Sequence, residues 1–140
     1  MSNELNLNGI IISDDDFLAK DQDVPDNTSV DGNGGSFDIG NFQEGSFEVV
    51  AKVGSVGLDI SDTFAITIKI QDSADNSSFA DLANVYTLTA SGGNGVKAAG
   101  TLLGKLILPS ATRRYIKAVL TTTDASASGK VSVFLTLLPR

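Results

Sequence analysis

The 140-residue chain contains no cysteine, no histidine and no tryptophan. Without cysteine it has no disulfide, no thiolate nucleophile and no Cys-ligated zinc. Without histidine it lacks the commonest general base and the commonest transition-metal ligand, so a Ser-His-Asp or Cys-His arrangement cannot be built. Long apolar runs are missing as well. None approaches the roughly 18 residues of a membrane-spanning helix, and the start, Met1 to Leu7, has neither the basic nor the apolar region of a secretory signal. The expectation is a soluble protein made in a cytoplasm. It is not expected to be an enzyme, to carry a cofactor, or to have a nucleic-acid or membrane partner.

What the chain does contain is turn residues, β-branched residues and unevenly placed charge. Its length suits one domain with one core built from Val, Ile, Leu and Phe, and its 14 glycines supply turn positions. Residues 97–140 hold seven lysines or arginines against one acid, Asp124, whereas residues 1–96 hold three against sixteen within a net charge of −7. A chain polarised in this way is expected to meet other surfaces. Residues 1–35 are acidic and rich in Asn and Gly, with only Gly9 to Ile12 as an apolar patch, and they read as an arm or long loops. Residues 36–140 read as the folded domain.

From Ser36 the period is two, the mark of half-buried strands. Phe64, Ile66, Ile68 and Ile70 alternate with Thr67, Lys69 and Gln71; Phe47, Val49, Ala51 and Val53 do the same. Further strands are predicted near 37–42, 85–90, 102–108, 115–122 and 130–138, with one helical turn over Phe79 to Asn84. Turn clusters separate the strands, which predicts an all-β antiparallel sandwich of jelly-roll type. In the last strand Val131, Val133, Leu135 and Leu137 share one face, while Phe134 and Leu138 lie on the other. Such a strand is either central in the sandwich or closed on one face by a neighbouring subunit.

The motifs that suggest chemistry are incomplete. Asp31 begins like a calcium loop, but Ser36 stands where the loop needs Gly and Phe42 where it needs Glu. Gly100 to Leu106 has three residues between its glycines where a phosphate loop has four, and Leu106 where it needs Ser or Thr, so the glycines predict a bulge or a close backbone approach. Arg113, Arg114 and Lys117 form a basic patch beside Tyr115. In an acidic chain these cations fit salt bridges to carboxylates, within a subunit or between subunits, better than they fit nucleic acid.

Two segments resemble a known family. Residues 108–138 run from Leu108-Pro109-Ser110 into an aromatic strand with a Thr-rich end, then through a Ser/Ala turn to Gly129-Lys130-Val131. They are similar to the C-terminal half of the cement, or decoration, proteins on tailed-phage heads. The stretch from Ile68 to Leu82, a strand followed by a polar loop and Phe79, resembles the same family, and the likeness spans about residues 37–138. The resemblance implies a homotrimeric jelly roll on the outer surface of the virion capsid, bridging major capsid proteins, with no catalytic residues. The acidic stretch at 14–35 departs from the family pattern. On this reading Arg113, Arg114 and Lys117 are candidate interface residues for charge pairing, and Phe134 and Leu138 for apolar contact. The alternative is a carbohydrate- or receptor-binding β-sandwich module of a phage tail or virion, for which two tyrosines and no tryptophan are poor equipment.

Overall fold

β-Branched residues at alternate positions suit a pleated surface buried on one side and disfavour helix. The computed structural model describes residues 3–5, 11–13, 17–40 and 47–137, and among these every regular element is a strand. In chain order they are β1 (Asn3–Leu5), β2 (Ile11–Ser13), β3 (Phe17–Asp23), β4 (Ser29–Asp31), β5 (Phe37–Asp38), β6 (Phe47–Val53) and β7 (Leu58–Ile60). There follow β8 (Ala65–Ser73), β9 (Ala80–Thr89), β10 (Gly95–Lys97), β11 (Leu102–Ile107), β12 (Tyr115–Thr122) and β13 (Lys130–Leu137).

The pairings are antiparallel. One sheet has the order β11-β6-β13-β3 and the other β4-β12-β8-β9, with β5 following β4 along the same edge of β12. Two short ribbons, β1-β2 and β7-β10, complete the described strands. The inward residues of both sheets meet in one cluster. Val49, Ala51 and Val53 of β6, Val131, Val133 and Leu135 of β13 and Leu18 of β3 pack with Ile66, Ile68 and Ile70 of β8 and Ile116, Ala118 and Leu120 of β12. Leu58 and Ile60 of β7 join the same core.

Strand β13 lies between β6 and β3 in its sheet, and its inward face, Val131, Val133 and Leu135, is buried in the core. Its second face is covered within the chain at Phe134, whose ring lies 5.3 Å from that of Phe17.

Two expectations are corrected. Residues 17–31 are not an arm: β3 is a strand of one sheet and β4 of the other, and Leu18 and Ala19 are fully buried. So few apolar residues suffice because backbone pairing to β13 and β12 satisfies the polar groups of an edge strand. The stretch after β4 then crosses between the sheets. Gly32 donates its N–H to Ala118 and Gly34 donates to Leu18, at 2.8 and 3.0 Å. A Cβ on either glycine would lie 2.0 Å from a β3 carbonyl oxygen, so glycine is required there by close approach. Asp14 to Asp16 lie outside the described residues. The second correction is Phe79 to Asn84, where the chain enters β9 instead of making a helical turn. β9 pairs along β8 with register shifts after Ile68 and Ile70, and these bulges break the alternation that would have revealed a strand.

Candidate functional site

The basic cluster is built by the turn that leads into β12. Thr112 donates its N–H and its hydroxyl to the Pro109 carbonyl, closing the turn and presenting Arg113 and Arg114 at the end of β8. There Arg113 grips Asp72 three ways. Its backbone N–H reaches Oδ2 at 2.9 Å, and its Nη2 donates to Oδ1 at 2.9 Å and to the Asp72 carbonyl at 2.8 Å. Asp72 is 5% exposed. The guanidinium holds the buried carboxyl below the usual carboxylate range, overcoming the burial that pushes it up, and Arg113 is raised in return.

Arg114 makes a fork to Asp38, with Nε on Oδ1 and Nη2 on Oδ2 at 2.9 Å each, and sits 5.2 Å from the centre of the Tyr115 ring. Lys117 reaches Asp31 at 3.1 Å and lies 4.6 Å from the centre of the Phe79 ring. Farther along, Lys130 of β13 pairs with Asp23 of β3 at 2.8 Å. Each of these four pairs joins a base in the positive part of the sequence to an acid in the negative part. The polarity expected to face partners is thus used, at these positions, inside one chain.

The sequence-predicted interface residues are therefore dispersed in role. Arg113, Arg114 and Lys117 do form salt bridges, and the structure places those bridges within the subunit. Phe134 is 9% exposed, with its ring against that of Phe17. Leu138 lies outside the described residues. The carboxylate partners Asp31, Asp38 and Asp72 were missed, because strand register selects them and register is not written locally.

Two further acids are held by hydrogen bonds. Asp21 accepts the Ser55 N–H and hydroxyl, both at 2.7 Å, and those bonds hold its carboxyl below the usual range. Asp124, 2% exposed, accepts the N–H groups of Ser61 and Ser126 at 2.7 and 2.8 Å. Among the described residues no three acids stand close enough to hold a metal ion. The expected close approach at Gly104 is present: the β11 register slips there, and a Cβ would lie 2.4 Å from the Val85 carbonyl oxygen of β9.

Unpartnered surface lies elsewhere. Leu102 and Ile107 of β11 and Val96 of β10 are the most exposed large apolar residues described, at 51%, 57% and 63%. Alternation had located β11 without showing that it forms a sheet edge. No known protein family matches the chain, and no curated protein matches it.

Proposed function

We propose that this protein is a non-enzymatic jelly-roll decoration protein of a tailed phage, which binds the outside of the assembled capsid as a homotrimer and stabilises contacts between major capsid proteins. The observation that carries the reading is the strand order. Taking β3, β4, β6, β8, β9, β11, β12 and β13 as eight strands, one sheet runs first, eighth, third, sixth, and the other second, seventh, fourth, fifth. That order supports a pair of Greek keys wound into a jelly roll, an architecture used by viral capsid proteins and lectins. The segments that resemble decoration proteins supply the inner strands β8, β12 and β13.

The physics of the role needs no acid, base or metal. A protein that binds only the assembled lattice stabilises it by mass action, and joining three copies turns modest contacts into firm attachment. A stiff body with internally paired charge, as at Arg113 and Asp72, suits a clamp because little ordering is required on binding.

The test is co-sedimentation of the purified protein with expanded, emptied phage heads. Saturable binding to heads, with heads then surviving heat or chelation longer, is the expected result. Indifference to heads combined with glycan-array binding would move the reading to the carbohydrate-binding module.

A further inference from the structure

The edge strand β11 and its neighbour β6 carry exposed basic and apolar side chains on the outer sheet face, around Val50, which is itself 6% exposed. Lys105 lies opposite Val50 and Leu102 opposite Lys52, so both lysines project from the same outer sheet face. Among the described residues neither lysine has an ion-pair partner, in contrast to Lys69, Lys117 and Lys130. The half-exposed Leu102 and Ile107 lie at the two ends of the strand. Glu48, opposite Ile107, is the carboxylate that β6 and β11 place on that face, leaving their part of it net positive in a protein of net charge −7.

A complementary surface lies on the β7-β10 ribbon. Val96, the most exposed large apolar residue described, stands directly opposite Asp59. Asn94 fixes two acids beside it: its Nδ2 donates to Asp59 Oδ1 and its Oδ1 accepts the Asp62 N–H, both at 3.1 Å. Neither Asp59 nor Asp62 has an ion-pair partner among the described residues. One patch is apolar and basic, the other apolar and acidic, and they sit on different elements.

We infer that the β6-β11 patch of one copy docks on the β7-β10 patch of a second copy of this chain, forming a head-to-tail contact. Such a contact joins unlike surfaces, and it closes into a ring when the rotation between copies allows. Complementary charge on the two patches favours that register and opposes patch-on-like-patch pairing, where lysines would face lysines. Exposed apolar residues beside the charges supply the area whose burial drives association. The contact deepens the self-association proposed above and rests on that part of the reading. It relocates the subunit interface away from Arg113, Arg114 and Lys117.

Sedimentation velocity over a range of concentrations tests it with charge reversals. Lys52→Glu with Lys105→Glu, and separately Asp59→Lys with Asp62→Lys, each weaken self-association roughly a hundredfold, because like charges then face each other. The chain carrying all four reversals regains assembly, since its patches are complementary again. Failure of that rescue, or a wild-type chain that stays monomeric throughout, overturns the contact; so does a loss produced by one pair of reversals alone. Circular dichroism confirms that the variants fold. If one does not, the wild type still decides, because raising salt from about 0.05 to 1 M screens the pairs and should weaken association roughly tenfold or more. Salt-independent association would overturn the contact. Head binding is measured in parallel: charge-dependent assembly without head binding establishes the contact and removes the capsid reading, whereas head binding by a strict monomer removes the contact alone.

Discussion

At the scale of single residues, the side chains that most define this protein are carboxylates placed where water barely reaches. Asp124 ends the chain's return from β12 and ties three loops. Its side chain holds Ser61 and Ser126, and its carbonyl accepts the Asn27 N–H at 3.1 Å. Beside it the Thr122 hydroxyl donates to the Pro25 carbonyl at 2.6 Å and accepts from the Asn27 N–H at 3.1 Å. Replacing Asp124 by alanine removes the acceptor of two part-buried backbone N–H groups, and the expected loss is about 1 kcal/mol, measured by urea denaturation. Arg113 tests a different property. Arg113→Lys keeps the charge but not the planar guanidinium whose Nη2 spans the Asp72 carboxylate and carbonyl, so it should lower the melting temperature nearly as much as Arg113→Ala. If lysine restores wild-type stability, charge alone is what Asp72 requires. The sequence made the salt-bridging character of Arg113, Arg114 and Lys117 legible. Their partners were hidden because 41 to 86 residues separate each pair.

Strands differ in how openly the chain declares them. β8, β12 and β13 are inner strands with apolar residues at alternate positions, and the period alone located them within a residue or two. β3 and β4 are edge elements whose inward side is almost limited to Leu18, Ala19 and the half-buried Val30, so acidic and polar residues dominate their composition. Their strand character comes from pairing with segments roughly a hundred residues away, which no local window contains. The same contrast predicts mutational cost. Ile68→Ala in the middle of β8 removes a fully buried side chain from the core and should destabilise by about 2–5 kcal/mol. Gly104→Val acts through position: the new side chain meets the Val85 carbonyl and must push β11 from β9, with an expected loss of about 1–3 kcal/mol. Equilibrium denaturation of both variants checks the pair. A neutral Gly104→Val would mean that the two sheet edges are free to part.

For the whole molecule, the division of charge along the sequence becomes a division between strands that must find each other. Acids at 23, 31, 38 and 72 meet bases at 130, 117, 114 and 113, so folding brings the acidic and basic parts into register. The three exposed pairs contribute little each, but together with the buried Asp72 pair they favour the native pairing over shifted ones. Removing residues 1–35 as though they were an arm deletes β3, β4 and the buried Leu18, and the truncated chain should lose its cooperative melt. The charge also fixes the response to pH. Asp21, Asp38, Asp72, Asp75, Asp81 and Asp124 all titrate below their ordinary value in the folded chain. Their contribution is present above the unfolded carboxylate pKa near 3.9 and disappears as pH falls through the lower folded values. Lys130 is raised by Asp23, so its contribution is complete below the ordinary lysine pKa of 10.5 and is lost only as pH climbs past the higher folded value. With no histidine in the chain, no unperturbed side chain changes charge between about pH 5 and 8. Melting temperature should therefore be flat across that interval and fall steeply below about pH 4, as carboxylates shared between strands take up protons. A stability step near neutral pH would show that some carboxyl is held well above its ordinary range. That outcome would contradict the reading of the acids as partners in a preassembled charge ladder.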